Sequence, residues 1–386
     1  MKKRLVYLDN NATTPLDPEV KRVIQESLDL YGNASSMHTP GRNAHKKMED
    51  ARSSVARLIH ASESEIVFTG CGSESNNAVL NLLFSPEVDL GGRKRFVTSA
   101  IEHPSIYELK EMLERRGIEV TLVPVDETGK VRMDAYAQAL DSDVALVSIM
   151  LANNETGTIQ DVGAMTALAK KYGALVHTDA VQAAGKIGID VRSLGVDYLS
   201  LSAHKIYAPK GIGALYVRSG SPFTPFLRGG HQEDGRRAGT YDNLGIMAFG
   251  KAAELALEHW EQDAQRMRRL RDMLDQGIRE KVGDIHCNGH PEDRLPGTLN
   301  VSFYGAEGES ILLYLDMEGI AVSTGSACAT GSLEPSYVLV NAGLSSDLAH
   351  GSIRFSLGRF TTEEDIAYVT AHIPPVIERL RRMSTV

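Results

Sequence analysis

Short apolar runs alternate with helical segments along the first two thirds of the chain. Runs rich in β-branched residues predict strands, and longer segments with an apolar face predict helices between them. The predicted strands are residues 65–69, 96–99, 119–123, 145–151, 175–178, 198–202 and 213–217, and the predicted helices are residues 74–84, 106–116 and 162–172. Strands separated by helices pair in parallel through right-handed crossovers, so the pattern predicts an α/β fold with a mostly parallel central sheet flanked by helices.

The pattern changes near residue 255. Residues 255–282 predict one long amphipathic helix, because apolar residues recur there at three- and four-residue spacing among many charges. Such a helix can join a large domain to a smaller one. We therefore expect a large domain at residues 15–257 and a smaller α/β domain made of residues 1–14 and 258–386.

The C-terminal part of the chain predicts further strands at residues 299–303, 320–323 and 352–357. Thr361 and Glu364 have the spacing of a capping box that opens a last helix. Pro374 and Pro375 fall within that helix and are expected to kink or interrupt it.

Composition excludes several classes of protein. The 386 residues carry a formal net charge of −9, which argues against a nucleic-acid-binding surface. No apolar stretch approaches the roughly 18 residues needed to span a bilayer, and the N-terminal segment turns polar too early for a signal peptide. Cys71, Cys287 and Cys328 are too few and too widely spaced for a disulfide framework or a zinc site. We expect a cytoplasmic protein without a metal.

Candidate catalytic residues follow the predicted strands, where the active residues of parallel sheets gather. Lys205, in SLSAHKIYAPKG, follows a strand directly and is a candidate Schiff-base lysine for a carbonyl cofactor. Ser202 and His204 beside it are suitable donors to a phosphate group. A single lysine is more often a solvated surface residue, so the neighbouring motifs decide between the two interpretations.

Asp179 follows the apolar run of ALVHTDAVQAAGK. Its carboxylate can pair with a protonated pyridine nitrogen, which makes a bound cofactor an electron sink. Gln182, three residues later, can reach the phenolic oxygen of the same ring. The alternative is an aspartate that only caps a helix, with Gln182 on the surface of that helix.

Three further motifs supply candidate ligands for the same cofactor. In FTGCGSESNN, Gly72 and Ser73 lie between a strand and a helix start, which is a typical phosphate site. His103, in IEHPS, is a candidate to stack on a pyridine ring and move protons, and Asn153, in ANNETG, can hold a substrate carboxylate or the phenolic oxygen. A structural histidine and a turn asparagine are the alternatives.

Cys328 lies in VSTGSACATGSLEPSY, a segment dominated by small residues. A thiolate there is a strong nucleophile that can reach a bound cofactor. Together with a Schiff-base lysine, it predicts sulfur chemistry on pyridoxal phosphate.

The motifs, taken in order, resemble those of the NifS/IscS-type cysteine desulfurases, which are class-V aminotransferases of the pyridoxal phosphate fold type I. The resemblance runs nearly from end to end of the chain. The sequences of two motifs, NNETG and GGHQEDGRRAGT, favour the nitrogen-fixation branch of the family. The resemblance is carried by YLDNNATTPLDPEV, SESNN, EHPS, NNETG, HTDAVQAAGK, SLSAHKIYAPKGIGALYVR, GGHQEDGRRAGT, TGSACATGSLEPSYVL and IRFSLGRFT.

The resemblance implies a reaction and a role for each matched residue. L-cysteine would form an external aldimine with pyridoxal 5'-phosphate, Lys205 would take its Cα proton, and Cys328 would receive the sulfur as a persulfide, leaving L-alanine. An iron–sulfur scaffold protein would be the sulfur acceptor. The remaining implied roles are phosphate binding by Gly72, Ser73, Ser202 and His204, ring contacts by His103, Asp179 and Gln182, a phosphate contact by Thr240 across a homodimer interface, and binding of the substrate carboxylate by Arg354 with Asn153.

Other functions are compatible with parts of the same sequence. A selenocysteine lyase shares the fold and cofactor, and an aminotransferase would use Lys205 and Asp179 without needing Cys328. A non-enzymatic scaffold subunit predicts the loss of these residues, and all three are present. The phosphate loop differs from the more familiar sequence of the family, and one of the differences is Cys71. We expect Cys71 to be packed as a small residue. Cys287, near two histidines, is expected in a polar loop.

Overall fold

The structure is a computed structural model, and it describes residues 4–324 and 334–384. Cys328 lies outside the described residues. Within those residues the strands β1–β12 are Val6–Tyr7, Ile66–Thr69, Arg95–Ser99, Glu119–Val123, Val144–Ser148, Leu175–Asp179, Tyr198–Ser202, Gly213–Val217, Ile285–Asn288, Thr298–Phe303, Ile320–Ala321 and Ser352–Ser356. The helices α1–α13 are Pro18–Ser27, Thr39–Leu58, Gly72–Leu80, Pro104–Tyr107, Lys110–Arg115, Met133–Gln138, Val162–Lys170, Val191–Leu194, Asn243–Lys281, Gly308–Met317, Tyr337–Asn341, Ser346–His350 and Glu363–Ser384.

A seven-stranded sheet forms the centre of the described chain, with the order β2-β8-β7-β6-β5-β3-β4. The prediction of a mostly parallel sheet is confirmed, because β7, β6, β5, β3 and β4 pair in parallel. Strand β8 is antiparallel to both β7 and β2. The segment between β7 and β8 is too short for the crossover that parallel neighbours require, so the chain simply turns back.

Two smaller sheets lie outside the central one. Strands β12, β10 and β9 form an antiparallel sheet, and β1 pairs in parallel with β11. One hydrophobic cluster, with members such as Leu270, Val301 and Phe355, lies around these small sheets. Two other clusters pack against the central sheet. The division into domains at residue 257 stays a prediction.

Helix α9 is longer than predicted, because it begins at Asn243 instead of residue 255. Asp242 caps it by accepting a hydrogen bond from the backbone of Gly245. The first half of the helix packs closely on α2: a Cβ added at Gly250 would lie 2.5 Å from Cα of Ala51. Small residues at this contact give no amphipathic pattern, so hydrophobic periodicity did not predict the first half of this helix.

The last helix, α13, begins one residue later than its predicted capping box implies. The backbone N–H of Thr362 donates to Asp365 (3.1 Å), and the N–H of Asp365 donates to Oγ1 of Thr362 (3.2 Å). Thr361 instead accepts a hydrogen bond from the backbone of Gly358. The helix runs through Pro374 and Pro375 without interruption. In the described ranges, 4–324 and 334–384, we find no helix long and apolar enough to cross a membrane.

The shorter predicted elements differ mainly at their ends. Helix α3 begins at Gly72 and gives way to a 3-10 turn after Leu80, and the helix predicted at residues 106–116 is divided into α4 and α5. These differences matter little for the position of the site. The strands that carry the candidate catalytic residues end within a few residues of the predicted positions.

Candidate active site

The carboxyl ends of β2, β3, β6 and β7 meet at one edge of the central sheet, and a cavity opens there. It encloses about 670 Å³ of empty space that is partly open to solvent. Asp179 is the last residue of β6 and Ser202 the last residue of β7, so each strand delivers a polar side chain to the rim. The predicted site residues that line the cavity are Gly72, Ser73, His103, Asp179, Gln182, Ser202, His204 and Lys205.

The N-terminus of α3 forms one wall of this cavity. Gly72 is its first residue, and a Cβ at this position would lie 2.8 Å from Cγ2 of Val181, so glycine allows the loop to approach the end of β6 closely. Oγ of Ser202 is buried and has no hydrogen-bond partner among the described residues. Backbone N–H groups at a helix start together with an unpaired hydroxyl fit a phosphate group.

Lys205 lies in the turn that follows β7. Its Nζ donates to the backbone carbonyl oxygens of Asn11 and, at 2.9 Å, of Ala12. The N-terminal segment therefore borders the cavity although it is about 190 residues away in the sequence. These carbonyls hold the amine at the cavity wall, which suits a lysine that forms a Schiff base with a carbonyl compound.

Asp179 is buried and has partners on both carboxylate oxygens. Oδ1 accepts from the backbone of Val181 at 2.9 Å, and Oδ2 accepts from Nδ2 of Asn76 at 2.7 Å. The first bond closes a local turn, and no helix begins directly after Asp179, so the helix cap of the alternative interpretation is absent from the described elements. The second joins the carboxylate to α3, and Asp179 also lines the cavity, so capping does not account for its whole environment.

His103 is connected to Asp179 through hydrogen bonds of Asn76 and Ser105. Nδ2 of Asn76 donates to Oγ of Ser105 (2.8 Å), which is 2.8 Å from Nδ1 of His103. The backbone N–H of Ser105 donates to the same Nδ1 (3.1 Å), so the neutral imidazole carries its proton on Nε2. Burial lowers the pKa of His103, the positive charge of Lys205 lowers it further, and the charge of Asp179 opposes this shift.

His204 is held neutral more strongly. Burial lowers its pKa to about 4, and the nearby positive charges of Lys205, Lys210 and Lys186 act in the same direction. Its Nδ1 lies 3.2 Å from Oγ1 of Thr13. A neutral imidazole can still donate one hydrogen bond to a bound anion.

Gln182 has both ends of its amide fixed. Nε2 donates to the backbone oxygen of Asn11 (2.9 Å), and Oε1 accepts from Nζ of Lys186 (2.9 Å). Because Nε2 carries two hydrogens, one remains available on the side of the cavity.

Asn153, the predicted substrate-binding asparagine, does not line the cavity, and its role stays a prediction. The side chain of Asn153 is buried in the turn after β5, where Oδ1 accepts from the backbone of Glu155 and Thr156 and Nδ2 donates to the oxygen of Ile101. Its neighbour Asn154 lines the cavity, and Oδ1 of Asn154 has no partner in the part of the chain that is described. The sequence does not distinguish two adjacent asparagines. The conformation of the turn determines that Asn154 lines the cavity.

Arg354 and Thr240 lie apart from the cavity wall of this chain. Arg354 is buried on the face of β12 opposite the small hydrophobic core, where Nη1 donates to the oxygen of Asn154 (3.0 Å) and Nη2 pairs with Asp9 (2.9 Å). It thus contacts the backbone of a cavity residue. Thr240 is exposed in a separate depression near Gly70 and Arg237.

The two described cysteines both differ from expectation. Cys71 is exposed and lines the cavity, because it stands at the N-cap of α3 and is not packed. Cys287 lies on β9 instead of in a loop, and its Sγ donates to Asp275 (3.3 Å). Burial and the charge of Asp275 raise the pKa of this thiol to about 12, so it is a poor nucleophile.

Sequence reasoning missed several polar residues that support the site. Asn76 follows Gly72 by one helical turn, so the i, i+4 spacing on α3 was an available signal. Ser105 follows His103 by two residues, and a serine at this spacing is a common local hydrogen-bond partner. Asn11 gave no signal, because its contacts with Gln182 and Lys186 join segments more than 170 residues apart, and Lys186 lies four residues after Gln182 in a segment of turns that has no regular spacing.

Comparison with known proteins agrees with the motifs. The profile of the family "Aminotransferase class-V" matches residues 6–369. A cysteine desulfurase from Trichormus azollae is 49% identical over 98% of this chain and 94% of its own length. The cysteine desulfurases IscS from Dictyoglomus turgidum and NifS from Azotobacter vinelandii are each 46% identical, over 99% and 98% of this chain and 97% and 94% of their own lengths.

Solved structures give the same result for the fold. A structure described as a NifS-like protein has a TM-score of 0.89 at 37% identity and covers 99% of this chain and 100% of its own. A structure described as SspA in complex with cysteine has a TM-score of 0.81 at 32% identity, covering 92% of this chain and 100% of its own. The resemblance and the fold class predicted from the motifs are confirmed.

Proposed function

The chain belongs to the aminotransferase class-V family, among its cysteine desulfurases, and on that premise we propose that it removes sulfur from L-cysteine and releases L-alanine. The observation that carries the proposal is the convergence of Lys205, Asp179 and the N-terminus of α3 on one cavity. A lysine amine, a carboxylate and a phosphate site are the three elements that a pyridoxal phosphate enzyme requires.

The cavity residues fit pyridoxal 5'-phosphate. Its phosphate would be held by the α3 N-terminus at Gly72 and Ser73 and by the side chains of Ser202 and His204; the unpaired hydroxyl of Ser202 supports this. Asp179 would keep a proton on the ring nitrogen, and Gln182 would donate to the ring oxygen. When bound, the cofactor supplies a conjugated ring that withdraws electrons from the α-carbon of an amino acid.

The chain's own residues then have separate tasks. Lys205 would hold the cofactor covalently through Nζ and would later accept the proton from Cα of the substrate. His103 would pack against the ring, and its lowered pKa keeps the imidazole neutral with Nε2–H as a hydrogen-bond donor in the site. The neutral state avoids a second cation beside Lys205 during proton transfer.

We assign the substrate carboxylate to Arg354 together with Asn154. Nε of Arg354 and Oδ1 of Asn154 are both buried without a partner among the described residues, and Arg354 already contacts the backbone of Asn154. An arginine fits a carboxylate through two parallel hydrogen bonds. Binding would require Arg354 to exchange its contact with Asp9 for the substrate.

Cys328 is the proposed sulfur acceptor within the enzyme. Its thiolate attacks Sγ of the substrate, the Cβ–Sγ bond breaks, and the electron pair stays with the carbon fragment, which takes up protons to become alanine. Cys328 keeps the sulfur as a persulfide, which a second thiol can reduce. An iron–sulfur scaffold protein is the proposed final acceptor in the cytoplasm. Within the family, we favour the nitrogen-fixation branch for this chain.

The active unit is proposed to be a homodimer in which Thr240 contacts the phosphate of the other subunit. Its support is the exposure of Thr240 on a loop tied to the phosphate site of its own chain: Arg237 pairs with Glu74 of α3 (2.9 Å). An exposed hydroxyl near, but outside, the cavity of one chain is suited to a site completed by a second copy.

Incubation with L-cysteine and a reducing thiol tests the proposal. We expect equal amounts of alanine and sulfide, and a Lys205→Ala variant that forms neither. An aminotransferase would instead yield an oxo acid and pyridoxamine phosphate. A selenocysteine lyase would release alanine from selenocysteine and almost none from cysteine. Either result would reject desulfuration of cysteine as the function.

A further inference from the structure

A buried lysine beneath the cavity is not used by the proposed reaction. Lys186 is only 8% exposed, and the contacts of its Nζ in the described part of the chain are with the amide oxygens of Gln182 and Asn11 and not with a carboxylate. An unpaired buried lysine is costly, since burial disfavours its charge. A specific local role is the usual reason for such a residue.

The contacts of Lys186 point to the cofactor side of the cavity. It follows Gln182 by four residues in the turns after β6, where Gly185 has a φ of +68°. Its Nζ donates to Oε1 of Gln182 (2.9 Å) and to Oδ1 of Asn11 (3.3 Å). The same Asn11 accepts, through its backbone oxygen, from Nε2 of Gln182 and from Nζ of Lys205.

These contacts fix the orientation of the Gln182 amide. The backbone oxygen of Asn11 requires a donor at one end of the amide and Nζ of Lys186 donates to the other end, so the oxygen of the amide faces Lys186 and the nitrogen faces Asn11 and the cavity. If Lys186 were absent, Oε1 would be a buried acceptor without a partner, and the amide could rotate to find one. Rotation would turn an acceptor toward the bound ring oxygen and lose the donor.

We propose that Lys186 is a positioning residue that holds Gln182 as a hydrogen-bond donor to the ring oxygen of pyridoxal phosphate. The inference rests on the proposed function, since it assigns a second residue to the same cofactor site. Burial and the positive charges of Lys205 and Arg354 lower the pKa of Lys186 to about 7. The role does not depend on this titration, because the ammonium and the neutral amine both carry N–H donors.

The pH midpoint of the visible absorbance of the cofactor-loaded enzyme tests this role. A donor to the ring oxygen withdraws charge from it and so weakens proton binding at the nitrogen that joins the cofactor to Lys205. Lys186→Met should therefore raise the midpoint by about one pH unit and weaken cofactor binding by about tenfold. Lys171→Met, at an exposed lysine beyond α7, is the matched control and should titrate as the wild type does.

A double-mutant cycle separates positioning from a simple charge effect. If Lys186 acts through Gln182, then adding Lys186→Met to Gln182→Leu should leave the midpoint of Gln182→Leu unchanged. Additive shifts would overturn the inference, because they would show that Lys186 acts on the cofactor independently. A wild-type midpoint in the Lys186→Met single variant would overturn it as well.

Two further comparisons keep the test decisive. Methionine replaces the buried amine with an apolar chain of similar length, so the fold should be retained; if it is not, Lys186→Ala completes the same cycle. If the wild-type protein itself binds no pyridoxal phosphate, the proposed function fails together with the inference. If the wild type binds the cofactor and the midpoint is unmoved, only the inference fails.

Discussion

Asn76 donates a 2.7 Å hydrogen bond from Nδ2 to Oδ2 of Asp179, and both side chains are buried. The second hydrogen on Nδ2 is donated to Ser105, which contacts Nδ1 of His103. One amide thus orients the carboxylate beneath the proposed ring nitrogen and, through Ser105, the imidazole. This gives α3 a task in addition to its proposed phosphate contacts.

Asn76→Leu should lower kcat/KM for cysteine desulfuration by about 10- to 100-fold, because a carboxylate loses a hydrogen bond in a buried site. Steady-state kinetics and cofactor affinity measure the effect. Asn77→Ala is the matched control, since the adjacent Asn77 donates only to backbone oxygens, those of Ser73 and Ser105, and does not touch Asp179. Equal losses in the two variants would mean that Asn76 only stabilises α3.

Asp179→Asn should reduce turnover by orders of magnitude while keeping the fold, since a neutral amide cannot hold a proton on the ring nitrogen. An asparagine can still accept the hydrogen bond from the backbone of Val181 that Oδ1 now accepts. Turnover and circular dichroism are measured together. Turnover close to that of the wild type would reduce Asp179 to a local cap.

Thr240→Ala and Lys205→Ala should complement each other when the two variants form mixed dimers. If Thr240 serves the neighbouring subunit, a mixed dimer has one site with an intact lysine and an intact threonine. Cofactor affinity and activity should then recover at about half of the sites. Mixtures that stay as impaired as the separate variants would assign Thr240 to its own subunit or to no site.

Glu102 predicts a pH dependence of stability. Its carboxyl is fully buried, and Oε1 accepts from the backbone of Met150 (3.0 Å) and from Ser99 (2.5 Å). Burial is the main cause that raises its pKa from 4.5 to about 8. The folded chain therefore binds this proton more tightly than the unfolded chain does, so the resulting stability is full below pH 4.5 and is lost as the pH rises through about 8.

Glu102→Gln should remove this dependence. Relative to the wild type, the variant should gain free energy of unfolding between pH 6 and pH 8.5, measured by urea denaturation at both pH values. Glu108→Gln, at an exposed glutamate nearby, is the control and should show no such trend. A difference between Glu102→Gln and wild type that stays constant with pH would refute the assignment.

The site residues that could be predicted are those whose position follows from the sheet. Asp179 and Ser202 end strands, and Gly72 begins the helix after a strand, so the parallel topology alone brings them together. Lys205 and His103 follow in the next few residues. Local spacing fixes these positions because the carboxyl ends of parallel strands share one edge.

The positions that the sequence did not predict depend on contacts that do not follow from the spacing of residues along the chain. Whether Asn153 or Asn154 faces the cavity depends on a turn whose hydrogen bonds capture the first side chain. The role of Asn11 depends on a long-range approach of the N-terminal segment to the segment after β6, and that of Lys186 depends on irregular turns that bring it to Gln182. The early start of α9 depends on close packing of Gly250 on α2, which hydrophobic periodicity does not report.

The most direct test of the account is mass spectrometry of the cofactor-loaded protein after treatment with L-cysteine and without a reducing thiol. We predict one added sulfur atom on the peptide that contains Cys328, and no added sulfur in the Lys205→Ala variant treated in the same way. The Cys328→Ser variant should bind the cofactor but form no alanine. Added sulfur on Cys71 or Cys287 instead, with alanine still formed by Cys328→Ser, would contradict the account.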